Sequence, residues 1–430
     1  MKGLEILISI LGIIGTVWAV LGSYKVIFGL LGFFKYRKFR LTQNYHSYAL
    51  CVPARNEEKV IVNLLESVAN QDYPLDKLTV FVVANNCTDE TAKKAREWSK
   101  NSKLKVVVYE RDNDAERTKG FALKYLFEQI EKEYGIEAFD GYFVFDADNV
   151  ILKNYVTKMN EAFDEGNKII TSFRNSKNVG QNWISFSYAM HWMRTCLIEN
   201  RGKGVLNQAC RIQGTGFLFA NELVKSGWKY TTLTEDRSFC SDAVVQNYSI
   251  TYCDEAIFYD EQPYKLKIAI RQRIRWAKGH LQSSVENCPK LLKNIFSFGS
   301  ASTKSYDCFF LNFPKHIEGV IRKILKFSLE IAVAVIVGKT HGIFYGVLSA
   351  YLADLASSWF GNIALELLVF IKYGERIEKG SIGKRLFHIF MFPLFDIIGK
   401  WSTYIALFKH VEWKPIPHDT VMDIEKLQKT

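Results

Sequence analysis

The chain has 430 residues, 48% of them hydrophobic and 14% aromatic, and a formal net charge of +11. That length accommodates one full α/β domain with additional elements, and no internal repeat or low-complexity tract is present, which excludes a repeat architecture. The positive charge suits nucleic acid, an anionic membrane surface or a phosphorylated substrate, and does not by itself choose among them.

From Leu4 to Phe34 the sequence is apolar apart from Glu5 and Lys25. This exceeds the about 20 residues needed to cross a hydrocarbon core and is too long for a cleaved signal peptide. Lys35, Arg37, Lys38 and Arg40 follow at once and belong on the cytoplasmic side, so residues 1–35 read as a transmembrane helix and the next domain as cytosolic. The eight cysteines form no CxxC pair and no Cys/His zinc spacing, in keeping with a reduced environment.

Between Tyr45 and Pro263, short apolar runs alternate with helical periodicity. Tyr48 to Val52, Leu78 to Val83, Leu104 to Tyr109 and Tyr142 to Phe145 predict strands; Val60 to Ala69, Glu90 to Ser99 and Lys119 to Glu133 predict helices. The order β-α-β-α-β-α-β predicts an α/β domain over 36–263 with an open, mostly parallel sheet, whose ligands bind at the carboxyl ends of the strands. Three predicted strands end in polar clusters: Pro53 to Glu57, Ala84 to Asp89, and Asp146-Ala147-Asp148. Two carboxylates one residue apart at such an edge can meet Mg²⁺ or Mn²⁺, which in turn neutralises a diphosphate; either acid alone could equally cap a loop.

Thr234-Glu235-Asp236 offers a carboxylate for general-base work, or an N-cap. Gly214-Thr215-Gly216 permits close backbone approach, or a plain turn, while His191 and Trp192 read as packing residues. Tyr264 to Gln282 predicts a basic helix within an interfacial region, 264–312, where most lysines and arginines would meet lipid headgroups. In the same helix Gln272, Arg275 and Trp276 present a carboxamide, a guanidinium suited to a diphosphate, and a flat ring for a sugar.

Apolar stretches from Ile317 to Gly338 and Ile343 to Ile371, joined by Lys339-Thr340-His341-Gly342 and followed by Lys372, Arg376, Lys379, Lys384 and Arg385, predict a transmembrane hairpin within 313–372. Asp354 would lie inside it, on a substrate path or paired with Lys339 or a neighbouring helix. Leu386 to Phe408 carries His388, Pro393, Asp396 and Lys400 and reads as an interfacial helix, leaving Trp413 to His418 on the cytosolic side within a 373–430 tail region.

In this order the motifs Pro53-Ala54-Arg55-Asn56-Glu57, Asn86-Cys87-Thr88-Asp89, Lys119-Gly120, Asp146-Ala147-Asp148, Gly214-Thr215-Gly216, Thr234-Glu235-Asp236 and Gln272 to Trp276 resemble the family-2 glycosyltransferases of GT-A fold. The likeness is to the membrane-bound branch that includes cellulose, chitin, hyaluronan and poly-N-acetylglucosamine synthases. It implies that Ala54, Arg55, Glu57 and Asp89 serve the nucleotide, that Lys119 and Asp146 contact it, and that Asp148 holds the metal. It implies Asp236 as base with Thr234 and Glu235 shaping its loop, and Gly214, Thr215, Gly216, Gln272, Arg275 and Trp276 around acceptor and diphosphate. Asn85 stands where many relatives have an acid, and its carboxamide can still accept from a uracil N3–H. Trp413 and His418 resemble a gating loop in a departing form.

The expectation is therefore an inverting, multi-pass membrane enzyme with a cytosolic catalytic domain that polymerises glucose or N-acetylglucosamine from a UDP-sugar. Its partners would be the growing polysaccharide, membrane lipids, and a second copy or an export protein to widen a narrow channel. The alternative keeps the chemistry and ends after one transfer to a lipid such as ceramide, diacylglycerol or polyprenyl phosphate. A silent sugar-nucleotide sensor is opposed by the intact carboxylates Asp146, Asp148 and Asp236, and a nucleic-acid role by the position of the basic residues beside membrane segments.

Overall fold

The computed structural model describes residues 2–338, 340–377, 380–412 and 414–424. Two helices, α1 (Lys2–Gly22) and α2 (Tyr24–Phe34), lead into the α/β domain. That domain runs β1 (Tyr48–Ala54), α3 (Ile61–Ala69), β2 (Leu78–Asn85), α4 (Thr91–Ser99), β3 (Lys105–Arg111), α5 (Lys119–Glu133), β4 (Gly141–Val144), β5 (Val150–Ile151), α6 (Tyr155–Asp164) and β6 (Ile169–Ser176). It continues with α7 (Trp183–Arg194), a π-helical segment Thr195–Arg201, α8 (Gly202–Val205), β7 (Phe217–Ala220), α9 (Glu235–Val245) and β8 (Thr251–Asp260). Five helices complete the chain: α10 (Leu266–Phe296), α11 (Ser302–Asn312), α12 (Lys315–Val337), α13 (Thr340–Tyr373) and α14 (Ile382–Phe408).

The eight strands form one sheet in the order β3-β2-β1-β4-β7-β6-β8-β5. The expected parallel half is present as β3, β2, β1 and β4. The sheet as a whole is mixed rather than mostly parallel, because β7 runs antiparallel to both β4 and β6, and β5 runs antiparallel to β8. Alternation along β1 shows how the faces divide: Tyr48, Leu50 and Val52 join a core with α3 and α6, while Ala49 and Cys51 join one with α5, α7 and α9. All five are fully buried to within 1%, as the central strand of a sheet covered on both faces requires.

Two helical stretches are long and apolar enough to cross a membrane, Lys2–Phe34 and Leu348–Arg376. The first is divided at Ser23, whose hydroxyl donates to the Val20 carbonyl. The expected span from Ile317 falls in α12, which carries Glu318, Arg322, Lys323, Lys326 and Glu330 and is not one of those two stretches. It packs on α1 and α13, and Lys323 Nζ pairs with Asp354 at 2.6 Å, so a neighbouring helix satisfies that acid. The α14 helix lies against α7, α10 and α13. Lys339, Lys379 and Trp413 lie outside the described residues.

Several basic residues of α10 are also corrected from headgroup contacts to internal fasteners. Arg273 is buried with its guanidinium 3.4 Å from the Phe395 ring centre and donates to the Phe395 carbonyl at 2.8 Å, while Lys278 donates to the Ala406 carbonyl. Arg271 donates to the Pro415 carbonyl at 3.0 Å, tying the tail to the same helix.

Candidate active site

The carboxyl ends of β1, β2 and β4 meet at one sheet edge, and a cleft of about 580 Å³ opens there. The loops after β1 and β2 are stitched together. Asn56 and Asn86 adopt left-handed backbone (φ 58° and 52°), a conformation asparagine tolerates. Thr88 N–H donates to Asn56 Oδ1 at 2.8 Å, and Glu57 N–H to Thr91 Oγ1 at 2.8 Å. Asp89 is spent in this stitching: its carboxylate accepts from Glu58 N–H, Thr91 N–H and the Thr91 hydroxyl. The structure does not bring Asp89 to the cleft, whereas Ala54, Arg55, Glu57 and Asn85 all line one end of it. Asn85 is buried, and its Oδ1 already accepts from Arg111 Nη1 at 3.2 Å.

Lys119 joins three pieces of the site. Its Nζ donates to Asp146 Oδ1 at 2.5 Å and to the Gly214 carbonyl at 2.7 Å, and stands 3.6 Å from Glu235 Oε1. Burial works against the ammonium, but Asp146 and Glu235 outweigh it and hold its pKa above the ordinary lysine value. Gly120 makes this placement possible, because a Cβ there would sit 2.4 Å from the Tyr230 carbonyl oxygen.

The Asp146 turn is braced from behind: its N–H donates to Thr215 Oγ1 at 2.9 Å and to Asn149 Oδ1 at 3.1 Å. Thr215 is buried in that role and does not line the cleft, which corrects its assignment to the acceptor. Gly216 is left-handed (φ +65°) and a Cβ on it would strike the Phe258 ring, so it too acts by close packing. Gly214 does face the cleft; a Cβ there would lie 4.0 Å from Asp236 Oδ2.

Asp148 is buried, and its Oδ2 accepts from Glu261 N–H at 2.8 Å. Across from it, His418 Nδ1 lies 3.0 Å from both carboxylate oxygens of Glu57. Burial would lower the His418 pKa, but Asp148, Glu57 and Glu261 raise it to about 10, so the ring is an imidazolium among three acids. Burial raises Asp148 in turn, and His418 and Lys177 overcome this to keep it ionised. Burial drives Glu57 up to about 7 against the same imidazolium. The tail is held here by Asp419 and Thr420 N–H groups on Glu261 Oε2 and by Met422 N–H on Asn63 Oδ1.

A divalent cation placed there would take a hard oxygen from Asp148 and, in exchange for the His418 proton, an imidazole nitrogen. Among the described residues no three His, Cys, Asp or Glu side chains converge on one point, so such an ion would complete its shell with diphosphate oxygens and water.

Thr234 precedes α9 without capping it, since its hydroxyl makes no hydrogen bond to the helix and packs instead against Gly279 of α10. Glu235 and Asp236 then occupy the first helical turn and both line the cleft. Burial raises Glu235 to about 7, with Lys119 opposing and Asp236 adding to the rise. Arg275 comes close to Glu235, Asp146 and Asp236 and donates to the Leu233 carbonyl at 3.4 Å. Gln272 lines the cleft with its Oε1 buried and without a hydrogen-bond partner. Trp276 forms an aromatic wall with Trp192, ring centres 5.6 Å apart, and with Tyr188. His191 and Trp192, expected only to pack, both line the cleft.

Sequence reasoning missed Glu261, Arg174, Glu199, Arg211 and Arg237, which also line it. Glu261 could have been found by the rule that found the others, for it follows the carboxyl end of β8.

Residues 46–279, more than half of the chain, match the family model described as Glycosyltransferase like family 2. A beta-monoglucosyldiacylglycerol synthase of Nostoc is 27% identical over 255 residues, 57% of this chain and 51% of that protein. A poly-beta-1,6-N-acetyl-D-glucosamine synthase of Staphylococcus epidermidis is 23% identical over 381 residues, 86% of this chain and 85% of that protein. The chain thus spans about half the length of some curated relatives and most of the length of others. In fold it is similar to a mannosyltransferase of Pyrobaculum calidifontis solved in complex with GDP-Man and Mn²⁺, with a TM-score of 0.56, 16% identity, and coverage of 87% of this chain and 100% of that one. With the family model covering more than half of the chain and the whole of the sheet, the chain belongs to glycosyltransferase family 2.

Proposed function

We propose that this chain is an inverting hexosyltransferase that moves a sugar from a UDP-sugar to a hydroxyl of an acceptor borne by the membrane. The observation that carries this reading is the continuity of the cleft. It runs from Glu57 and Asp148 at the sheet edge, past Asp236, to Lys25, Phe313 and Lys315 beside the Lys2–Phe34 helices.

The nucleotide occupies the end lined by Ala54, Arg55, Glu57 and Asn85. Mg²⁺ or Mn²⁺ held by Asp148 and His418 would neutralise the diphosphate and so favour its departure. Arg275 offers the same oxygens a guanidinium. Asp236, half-buried and beside Gly214, takes the acceptor proton on the face opposite the leaving group. Lys119 fixes the distance between the Asp146 turn and the Glu235-Asp236 turn, and Trp276 with Trp192 provides an apolar wall for a sugar ring. The catalytic domain faces the cytosol, with α1–α2 and α13 in the membrane.

The same chemistry repeated on its own product is the second reading. It is favoured by the aromatic wall, which suits a sugar acceptor, and by similarity to the polysaccharide synthase along 86% of the chain. Radiolabelled UDP-glucose and UDP-N-acetylglucosamine supplied to membranes containing the protein separate the two. Label extractable into organic solvent is expected. Long, extraction-resistant polysaccharide would overturn the lipid reading in favour of the polymer.

A further inference from the structure

Beside Asp236 the cleft has a vestibule whose charge the transfer reaction does not explain. Four cations reach it from four elements: Lys25 from the first turn of α2, Lys315 from the start of α12, Arg237 from α9 beside the base, and Arg211 from the loop after α8. Arg211 stands 3.7 Å from Glu199, whose Oε2 is buried without a hydrogen-bond partner. Among the described residues none of Lys25, Arg237 and Lys315 forms an ion pair, and Arg237 Nη1 only donates to the Leu311 carbonyl. Glu199 projects from the π-helical segment, an irregularity that re-aims side chains. Burial would raise its pKa, yet Lys25, Arg211 and Lys203 hold it well below the carboxylate range. Burial and Arg211 together push Arg237 down to about 10. The Glu199 shift, won against burial, has the direction of a pocket rich in positive charge.

Apolar rings adjoin this vestibule at Phe310 and Phe313. Trp18 of α1 stacks on Phe313 at 5.0 Å and meets the edge of Phe310 at 5.4 Å, and Lys315 Nζ lies 4.8 Å from the Phe310 ring centre. An amphiphile entering from the α1 side would keep its hydrocarbon at Trp18 and Phe313 while its first polar group met the cations.

We propose that the vestibule formed by Lys25, Arg211, Arg237 and Lys315 binds the phosphodiester of a membrane phospholipid whose headgroup hydroxyl is the sugar acceptor. This rests on the membrane-acceptor reading and names its substrate class. In the transfer, the headgroup oxygen bonds to the anomeric carbon and its proton passes to Asp236. The bond from the anomeric carbon to the diphosphate breaks, and UDP leaves with the electron pair. The phosphodiester is not altered.

The test uses the full chain reconstituted in phosphatidylcholine vesicles that contain phosphatidylglycerol and diacylglycerol together, so that both acceptors share one surface charge. With radiolabelled UDP-glucose or UDP-N-acetylglucosamine, label should enter phosphatidylglycerol at least about tenfold faster than diacylglycerol. The double change Lys25→Ala, Lys315→Ala should raise the KM for phosphatidylglycerol about tenfold, with retained UDP affinity as the control for folding, and Lys25→Arg, Lys315→Arg should restore it. Faster labelling of diacylglycerol, or a KM indifferent to the alanine changes, overturns the inference while leaving the membrane-acceptor reading in place. Label found only in soluble polymer overturns that reading itself.

Discussion

Replacing Lys119 with methionine removes a cation that touches the Asp146 turn, the Gly214 loop and α9 at once. The loss does not fall evenly. The Asp146 side chain is 38% exposed, so water takes over much of its stabilisation; the Glu235 side chain is 9% exposed and has no such recourse. Glu235 is already raised to about 7 with Lys119 present, and without it the carboxyl rises further. Between its unfolded value near 4.5 and its folded value the native state binds more protons than the unfolded one, so this group's contribution to stability falls as pH rises. The slope is about 1.4 kcal/mol per pH unit within that window. In the variant the window extends above pH 7, so its deficit should be small where Glu235 is protonated in both proteins and approach ~2–3 kcal/mol in mild alkali, below the cost of a trapped buried charge. Thermal unfolding of the full chain in nanodiscs, followed by tryptophan fluorescence near pH 5.5 and pH 8.5, reads the difference. A deficit equal at both pH values, or larger in acid, refutes the reasoning.

Gly216→Ala should destabilise by ~2–5 kcal/mol, combining a left-handed backbone with a Cβ driven into the Phe258 ring, and should lower the unfolding midpoint without a change in pH dependence. For His418→Ala, calorimetric titration with UDP should show that Mn²⁺ no longer strengthens binding, with a loss of about tenfold or more relative to the native chain in the same buffer; an undiminished Mn²⁺ effect would remove His418 from the metal. Trp276→Ala should reduce sugar transfer far more than UDP-sugar hydrolysis, because the wall it forms with Trp192 serves the acceptor side; equal losses would contradict that role.

The parallel half of the sheet and its ligand-bearing edge were legible because each strand there is a short apolar run closed by a polar cluster, as in Tyr48 to Glu57 and Tyr142 to Asp148. The second half was not. The strand Thr251–Asp260 contains Asp254 and Glu255, and buried Asp254 is met by Arg376 from the end of the α13 region at 2.9 Å, by Arg201 at 3.7 Å and by the Tyr252 and Tyr373 hydroxyls. No local pattern announces a partner so far along the chain. The same limit explains Asp89 and Thr215. A carboxylate that braces a loop and one that meets a ligand occupy the same kind of position, and the difference lies in Thr91 and in the Asp146 turn. Glu199 and Arg211 escaped notice because their place in the cleft depends on how the α7 to α8 segment folds back along the domain. The span expected from Ile317 has its charges within the helix, interleaved with apolar residues.

The account turns on Asp236 as the group that takes the acceptor proton, in a cleft whose nucleotide end is built by other residues. Asp236→Asn keeps the size of the side chain and removes the base. Transfer from UDP-sugar by reconstituted membranes should be lost, by on the order of a hundredfold or more, while UDP affinity measured calorimetrically on the same preparation stays within about twofold of the native chain. Unchanged turnover, or a loss of transfer matched by an equal loss of UDP binding, would contradict that assignment.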